Sequence, residues 1–347
     1  MINPEFTKIE SIAIHRVGNK LNEEGIQFSK SLLKTNDEIN KILILYFINP
    51  FKINEFYNFY HDSSLEDNKV FSLITEIFES PGLLFDNSIE LAKRLYNCSI
   101  HPKIKKGEFC VVYFKDCIIE DETVDAIGLF KSEIKEKYLR INVKDDNFEI
   151  QSDDGININK LDKGCIIFNT EKDFGYKLCI VDNINKGNEA QYWKDEFLQV
   201  TQRKDDFYYT QNAMTLCKSF FTEHLPEEFN TTKADQADLL NKSVNFLKGK
   251  KSFSMGEFAN EVLEEPELKK DFNKYKEEFE SNFDIEIPEK FDISEPVVKR
   301  NSRIFKSVIK LDKNFHIYVH GKREFIIKGF DEKTGMNYYQ LYFKEEK

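Results

Sequence analysis

CVVYF from Cys110 to Phe114, AIGLF from Ala126 to Phe130, YLRINV from Tyr138 to Val143, CIIF from Cys165 to Phe168 and LCIV from Leu178 to Val181 are five apolar runs inside one stretch, Gly107 to Asp182. The breaks between them are rich in Asp, Asn, Gly and Lys, which satisfy or permit turn geometry, so the stretch reads as consecutive antiparallel strands. Asp154-Gly155 is the clearest turn signal, separating Phe148 to Ile150 from Ile156 and Ile158. Leu139, Ile141 and Val143 alternate with Arg140 and Asn142, the pattern of a strand with one wet face. Cys110 to Phe114 is apolar on both sides, which predicts a mid-sheet strand covered on both faces.

Around this sheet the chain reads as helical. Ile9 to Arg16 is a first strand. Thr35-Asn-Asp-Glu38 fits a capping box ahead of a helix that Pro50 stops, and further helices are expected from Asp67 to Glu79 and from Asn87 to Cys98. Asn188 to Arg203 and Phe207 to Leu225 form two amphipathic patterns, with Trp193, Phe197 and Val200 on one and Met214, Cys217 and Phe221 on the other. Both stripes are assigned to packing on the sheet, with Pro226 ending the second and Asn230 to Lys233 as a linker. Ala234 to Leu247 makes another helix. The basic loop Lys248 to Lys251 precedes a second capping box, Ser254-Met-Gly-Glu257, a place where lysines beside a helix N-terminus could hold a phosphate.

The C-terminal tail reads as an antiparallel meander with strands at Arg303 to Leu311, Phe315 to Val319, Phe325 to Phe330 and Asn337 to Phe343. A side-chain period of two places Phe305, Ile309, Leu311, Phe315, Ile317, Val319, Phe325, Ile327, Leu341 and Phe343 on a buried face. The opposite face collects Lys306, Lys310, His316, Tyr318, His320, Lys328, Tyr338, Tyr342 and Lys344. The fold class expected is therefore α+β: a helix-covered antiparallel sheet, a helical segment and a C-terminal β meander. In domain terms this gives a core at 1–230, a helical acidic segment at 231–296 and a basic meander at 297–347.

Composition narrows the function classes. At 347 residues, 40% hydrophobic and 32% charged, the chain is an ordinary globular protein with length enough for two domains. The longest apolar run, around Ile42 to Ile48, is too short to span a bilayer and no signal-peptide succession opens the chain, so a cytoplasmic protein without a membrane partner is expected. Six cysteines without CxxC spacing read as buried free thiols. His316 and His320 fall on one side of a strand without the further ligands zinc needs, and no cofactor motif of the GxGxxG, Walker or GxSxG kind is present.

Charge is unevenly placed within the formal net of -11. Ser252 to Pro296 carries fourteen acidic and five basic side chains, and Lys299 to Lys328 carries nine basic and two acidic ones. Such a basic run beside Tyr and His rings suits phosphate neutralisation and stacking on bases. The candidate nucleic-acid contacts are Lys299, Arg300, Arg303, Lys306, Lys310, Lys322, Arg323 and Lys328. A second reading makes the acidic segment 252–296 a mimic of a nucleic-acid backbone, docking on a protein partner or masking the basic tail. A third takes Asp125, Glu133 and Lys135 as the carboxylate and lysine set of a metal-dependent nuclease.

The order of several short blocks resembles the bacterial nucleoid-associated proteins of the NdpA/YejK type. These blocks are Ile12 to His15, Gly107 to Phe130, Tyr138 to Ile141, Lys163 to Phe168, Tyr192-Trp193, Phe197-Leu198, Thr215 to Phe221 and Phe325 to Gly329. The resemblance spans nearly the whole chain and brings no catalytic motif with it. It implies a DNA-binding or nucleoid-organising protein of the bacterial cytoplasm with no enzymatic activity. DNA is the partner implied, with RNA as the alternative, and a homodimer suits such a role.

Overall fold

A computed structural model describes the chain apart from residues 1–3, 5, 52–54, 120–121, 145–146, 185–191, 230, 303–304, 306–307, 320–322 and 346–347. The chain divides into two compact units, Met1–Arg203 and Lys204–Lys347. The fold is α+β.

The first unit is built on an antiparallel sheet of β1 (Lys8–Val17), β2 (Ile26–Phe28), β3 (Phe56–Phe59), β4 (Gly107–Ile119), β5 (Glu122–Ser132), β8 (Lys163–Phe168), β9 (Lys177–Asp182) and β10 (Val200–Gln202). Between β5 and β8 the chain leaves the sheet as a separate hairpin, β6 (Glu136–Lys144) and β7 (Asn147–Gly155). The spatial order is β10-β3-β9-β8-β5-β4-β1-β2. Four of the five apolar runs are thus adjacent strands, and β4 is covered on both faces. Phe109, Val111 and Tyr113 point to a core shared with α2 (Lys69–Glu79) and α3 (Leu84–Cys98). Val112 and Phe114 point to a second core, where Phe47 of α1 (Asp37–Ile48) stacks on Phe130 with ring centroids 4.1 Å apart.

The fifth run behaves differently from its reading. Tyr138 to Val143 lies in β6, whose partner is β7 rather than a strand of the main sheet. Lys144 pairs with Asn147 and Glu136 with Gly155, so Asp154-Gly155 lies at the end of a strand instead of making the turn. Gly155 has a positional reason: a Cβ there would meet the Tyr138 ring at 2.9 Å.

Local capping also shifts some boundaries. Asn36, not Thr35, caps α1, its side chain accepting from Ile39 N–H at 2.9 Å, while the Thr35 hydroxyl donates to Asn40 at 2.6 Å. The pattern read as a helix from Asn188 to Arg203 contains a π-helical turn, Tyr192–Leu198, followed by β10. The backbone of Val200 to Gln202 finds its hydrogen bonds on the edge of β3, which an isolated helical pattern could not foresee.

Ionic side chains are buried where β5, β8 and β9 meet. Lys131 and Lys163 are fully buried and directly opposite each other across β5 and β8, a like-charge pair that needs separate compensation. Lys131 Nζ lies 3.0 Å from Glu133 and 3.1 Å from the Lys105 carbonyl it donates to, and Lys163 Nζ lies 2.6 Å from Asp182, its partner across β9. Glu133 also accepts from the Tyr192 hydroxyl at 3.0 Å and from Lys105 N–H at 3.2 Å. Asp162 accepts from the Glu133 and Ile134 amides at 2.6 and 2.8 Å. Burial pushes the Lys131 pKa down, and Glu133 opposes that shift. Both ammonium groups face the Tyr192 ring, at 5.8 and 5.2 Å from its centroid.

Elsewhere in this unit His15 is buried between β2 and α3. Its Nδ1 accepts from Ser29 N–H at 3.2 Å, because a backbone amide can only donate. Ser88 gives its hydroxyl hydrogen to the Phe85 carbonyl at 2.6 Å, so His15 Nε2 donates to Ser88 at 2.8 Å and the ring is neutral.

The second unit has a helical core. Its first helical run joins α4 (Asp206–Ser219), a π-helical turn (Phe220–His224) and α5 (Leu225–Glu228), and α6 (Lys233–Gly249) follows. Next come β11 (Ser252–Ser254), α7 (Met255–Phe258), α8 (Pro266–Phe283), β12 (Lys290–Asp292) and α9 (Glu295–Asn301). Met214, Cys217 and Phe221, expected on the sheet, belong to this core with Phe258 and Phe272. Pro226 does not end the run. It sits in the first turn of α5, after Leu225 N–H bonds back five residues to Phe220, and at the N-terminal edge its missing amide leaves no gap.

Thr232, assigned to a linker, instead caps α6 in a reciprocal box with Asp235. The box read at Ser254 is not formed, because Glu257 is drawn 2.6 Å from Lys250.

Two outcomes are expected in urea unfolding. Glu133→Ala should cost about 3–5 kcal/mol by stranding Lys131, whereas Lys131→Met/Glu133→Leu should cost far less; a single variant within about 1 kcal/mol of the parent would contradict the role given to this pair. Because burial lowers the His15 pKa from 6.5, the unfolded chain takes up its proton first and stability falls as pH drops from that value through the lower native one. The fall should be shallower in His15→Gln, and equal slopes would count against it.

Candidate nucleic-acid interface

The C-terminal tail forms two successive hairpins, β13 (Val308–Leu311) with β14 (Phe315–Tyr318) and β15 (Ile326–Asp331) with β16 (Met336–Leu341). What fixes their orientation is α6. Ile309 and Val319 are buried against Ala234 and Ala237 of that helix together with Ile326, and Asn241 of α6 donates to the Val319 carbonyl at 2.9 Å. With Ile309 turned inward, Lys310 is turned outward and stands directly opposite His316, next to the Val308 and Tyr318 pair. Phe315, expected to be buried, is 65% exposed.

In the second hairpin the alternation differs by one residue from its reading. Arg323–Phe325 is a 3-10 turn, so the strand begins at Ile326, which is the buried residue, while Ile327 is exposed. Lys328 therefore pairs with Tyr339 and shares the side of Ile326, and Tyr338 lies on the other side, opposite Gly329. A Cβ at Gly329 would come within 2.2 Å of the Tyr338 ring, so glycine admits this cross-strand contact. Lys328 and Tyr338 thus do not share a face, and Phe325, Ile327, Leu341 and Phe343 are exposed rather than buried. The consecutive apolar residues Phe325, Ile326 and Ile327 carry no parity of their own, which is why alternation alone misplaced them. The same shift brings Phe330, which sequence parity did not select, onto the side of Lys328 as an exposed ring.

The other cationic positions are distributed as follows. Lys299 and Arg300 occupy the last turn of α9. Lys299 lies 3.9 Å from Glu295, whereas Arg300 donates to Gln211 at 2.8 Å and stacks on Phe207 at 5.3 Å. Arg303, Lys306 and Lys322 lie outside the described residues, as does His320, and the side chain of Arg323 is likewise not described. Among the described residues Lys310 and Lys328 are exposed and form no ion pair.

The acidic segment keeps much of its charge to itself. Glu257 and Glu261 hold Lys250 at 2.6 and 2.5 Å, Glu264 holds Lys242 at 2.8 Å, and Lys276 lies between Glu280 and Glu289 at 3.3 and 3.6 Å. Lys250, read as a phosphate ligand, is committed to those carboxylates. Among the described residues the ion pair that joins this segment to the basic tail is Glu295 with Lys299, one turn apart on α9.

The three nuclease candidates stand apart. Asp125 accepts from Tyr113 and Lys115 at 2.9 and 2.7 Å, Glu133 sits in the buried pair with Lys131, and Lys135 lies 2.9 Å from Glu108. Asp125 and Glu133 are eight residues apart along one extended run, roughly 26 Å at about 3.3 Å per residue. Among the described residues no three His, Cys, Asp or Glu side chains are grouped to hold a metal ion, and no helix is long and apolar enough to cross a membrane.

A family model described as nucleoid-associated protein YejK matches residues 13–335. No curated protein matches the chain.

Neighbouring positions on β13 should respond oppositely to substitution. Ile309→Ala, which removes the anchor on α6, should destabilise the second unit by about 2–5 kcal/mol, and Lys310→Gln should stay within about 0.5 kcal/mol of the parent. Thermal unfolding checks both, and a large loss in Lys310→Gln would mean that the lysine is a packing residue.

Proposed function

This chain belongs to the nucleoid-associated protein YejK family, and from that premise we propose that it binds DNA without enzymatic action, in the bacterial nucleoid, through phosphate contacts of its basic tail. The contacts are assigned to Lys299, Arg300, Arg303, Lys306, Lys310, Lys322, Arg323 and Lys328. One observation carries the reading. The hairpin of Lys310 is held to α6 by its apolar side, which leaves an exposed lysine, without a carboxylate partner among the described residues, beside His316 and Tyr318. Lysine is a point charge on a flexible stem, suited to phosphate and poor at reading base edges, so binding is sequence-tolerant.

The acidic segment supports a structural reading better than a mimic of nucleic acid, since its carboxylates hold Lys242, Lys250 and Lys276. The side chains named for a nuclease have separate partners, and no catalytic step is assigned to them.

Binding to duplex DNA of two unrelated sequences, measured across a salt series, tests the proposal. Affinity should fall steeply with salt and alike for both sequences. Lys306→Glu/Lys310→Glu/Lys328→Glu should weaken it and flatten the slope by about 0.9 for each phosphate no longer neutralised. An intact chain that fails to bind duplex at low salt, or a triple variant with unchanged affinity and slope, would overturn the assignment. Single-stranded DNA and duplex RNA as competitors identify the preferred form.

A further inference from the structure

Tyr338 lies across the second C-terminal hairpin instead of standing off it. Its cross-strand partner is Gly329. The Cζ, hydroxyl and Cε1 atoms of its ring are 2.2, 2.4 and 2.7 Å from the point a Gly329 Cβ would occupy, so the far end of the ring rests on the backbone of β15. One side of the ring is covered by that strand, yet the residue is 47% exposed. Residues directly opposite in an antiparallel pair share a face, so Tyr338 is flanked by the Ile327 and Gln340 pair and by the Asp331 and Met336 pair. Ile327 and Met336 are exposed as well. Asp331, the carboxylate of this face, is turned into the hairpin turn, where it accepts from Lys333 N–H at 2.9 Å and from the Thr334 hydroxyl at 2.8 Å.

We infer that Tyr338 is a stacking platform for a base of single-stranded DNA. The inference rests on the DNA-binding reading above and adds the form of DNA that the tail prefers. A ring laid flat on a strand turns its π-face outward, which is what base stacking requires. In a duplex the faces of each base are taken up by its neighbours, so an unstacked base is the one that can meet the ring. The phosphates of such a strand suit Lys328, which precedes Gly329 and is exposed. β15 and β16 pair with no further strand among the described residues, so the ribbon measures about 5 Å from strand to strand. A flexible lysine stem on one face reaches past its edge to the phosphate of a base held on the other.

A second tyrosine separates the ring from its surroundings. Tyr138 likewise covers a glycine, Gly155, and is 49% exposed. Its cross-strand partner is Asp153, Glu149 lies further along the same face, and the Arg140 between them is ion-paired with Asp153. Carboxylates there repel a phosphate backbone, so the inference assigns no base to Tyr138.

Binding of the intact chain to a fluorescein-labelled oligothymidylate of about 16 nucleotides, and to a duplex of the same length, tests this across a salt series. The parent should bind the single strand more tightly than the duplex. Tyr338→Leu keeps an apolar cover on Gly329 but removes the π-face. It should weaken single-strand binding by about 5- to 150-fold, with the salt slope and the duplex affinity unchanged because no phosphate contact is lost. Tyr338→Phe should bind like the parent, and so should Tyr138→Leu.

A Tyr338→Leu variant that binds the single strand like the parent would overturn the inference and leave the DNA-binding reading standing. So would a loss shared equally by the duplex, a Tyr338→Phe variant as weak as Tyr338→Leu, or an equal loss in Tyr138→Leu. A parent that binds neither form at low salt would overturn both.

Discussion

Two buried lysines facing each other across adjacent strands set a constraint on which the register of the first unit's sheet depends. Lys131 and Lys163 are opposite in the register of β5 and β8, so their charges repel unless each has its own carboxylate. Glu133 supplies one, two residues further along the departing chain, and Asp182 the other, directly across β9. A one-residue slip of either strand would turn an ammonium group toward an apolar core, at a cost of several kcal/mol. The network therefore fixes register where three strands end, and with it the exit of the β6–β7 hairpin and the seat of Tyr192.

Hairpins recur in both units with unlike fates. β6–β7 and β15–β16 each place a tyrosine against a strand glycine, Tyr138 by Gly155 and Tyr338 by Gly329. The difference lies in what is underneath. Ile309 and Ile326 meet Ala234 and Ala237, small residues that let the C-terminal hairpins approach α6 closely. The apolar face at Ile141 and Ile150 is exposed among the described residues. Burial of Ile309 turns its neighbour Lys310 outward, while the apolar face of the β6–β7 hairpin stays exposed.

Charge segregation along the sequence does not become charge segregation in space to the same degree. The run from Ser252 to Pro296 is strongly acidic in sequence, yet Lys242 and Lys250, which precede it, draw Glu257, Glu261 and Glu264 into ion pairs. These pairs are exposed and add little stability, but they commit cations that the sequence left free for phosphate. The cations that remain unpaired among the described residues of the tail include Lys310 and Lys328.

The sequence by itself determined the α+β class, the four apolar strands of the central sheet and the burial of β4 on both faces, because runs of β-branched and aromatic residues have few ways to leave water. It also determined family membership through the order of its blocks, and the outward turn of Lys310, since Ile309 beside it had to be buried. Tertiary structure decided which stripes share a core, as with Met214 and Cys217, because a helical pattern says that a face is buried and not against what. It decided the parity of Phe325 to Ile327, where three consecutive apolar residues fit either face and only the contact with Ala234 and Ala237 chooses. It decided, finally, that Leu139, Ile141 and Val143 stay uncovered. Alternation fixes which side of a strand is apolar, whereas whether another layer reaches that side depends on the path of the whole chain.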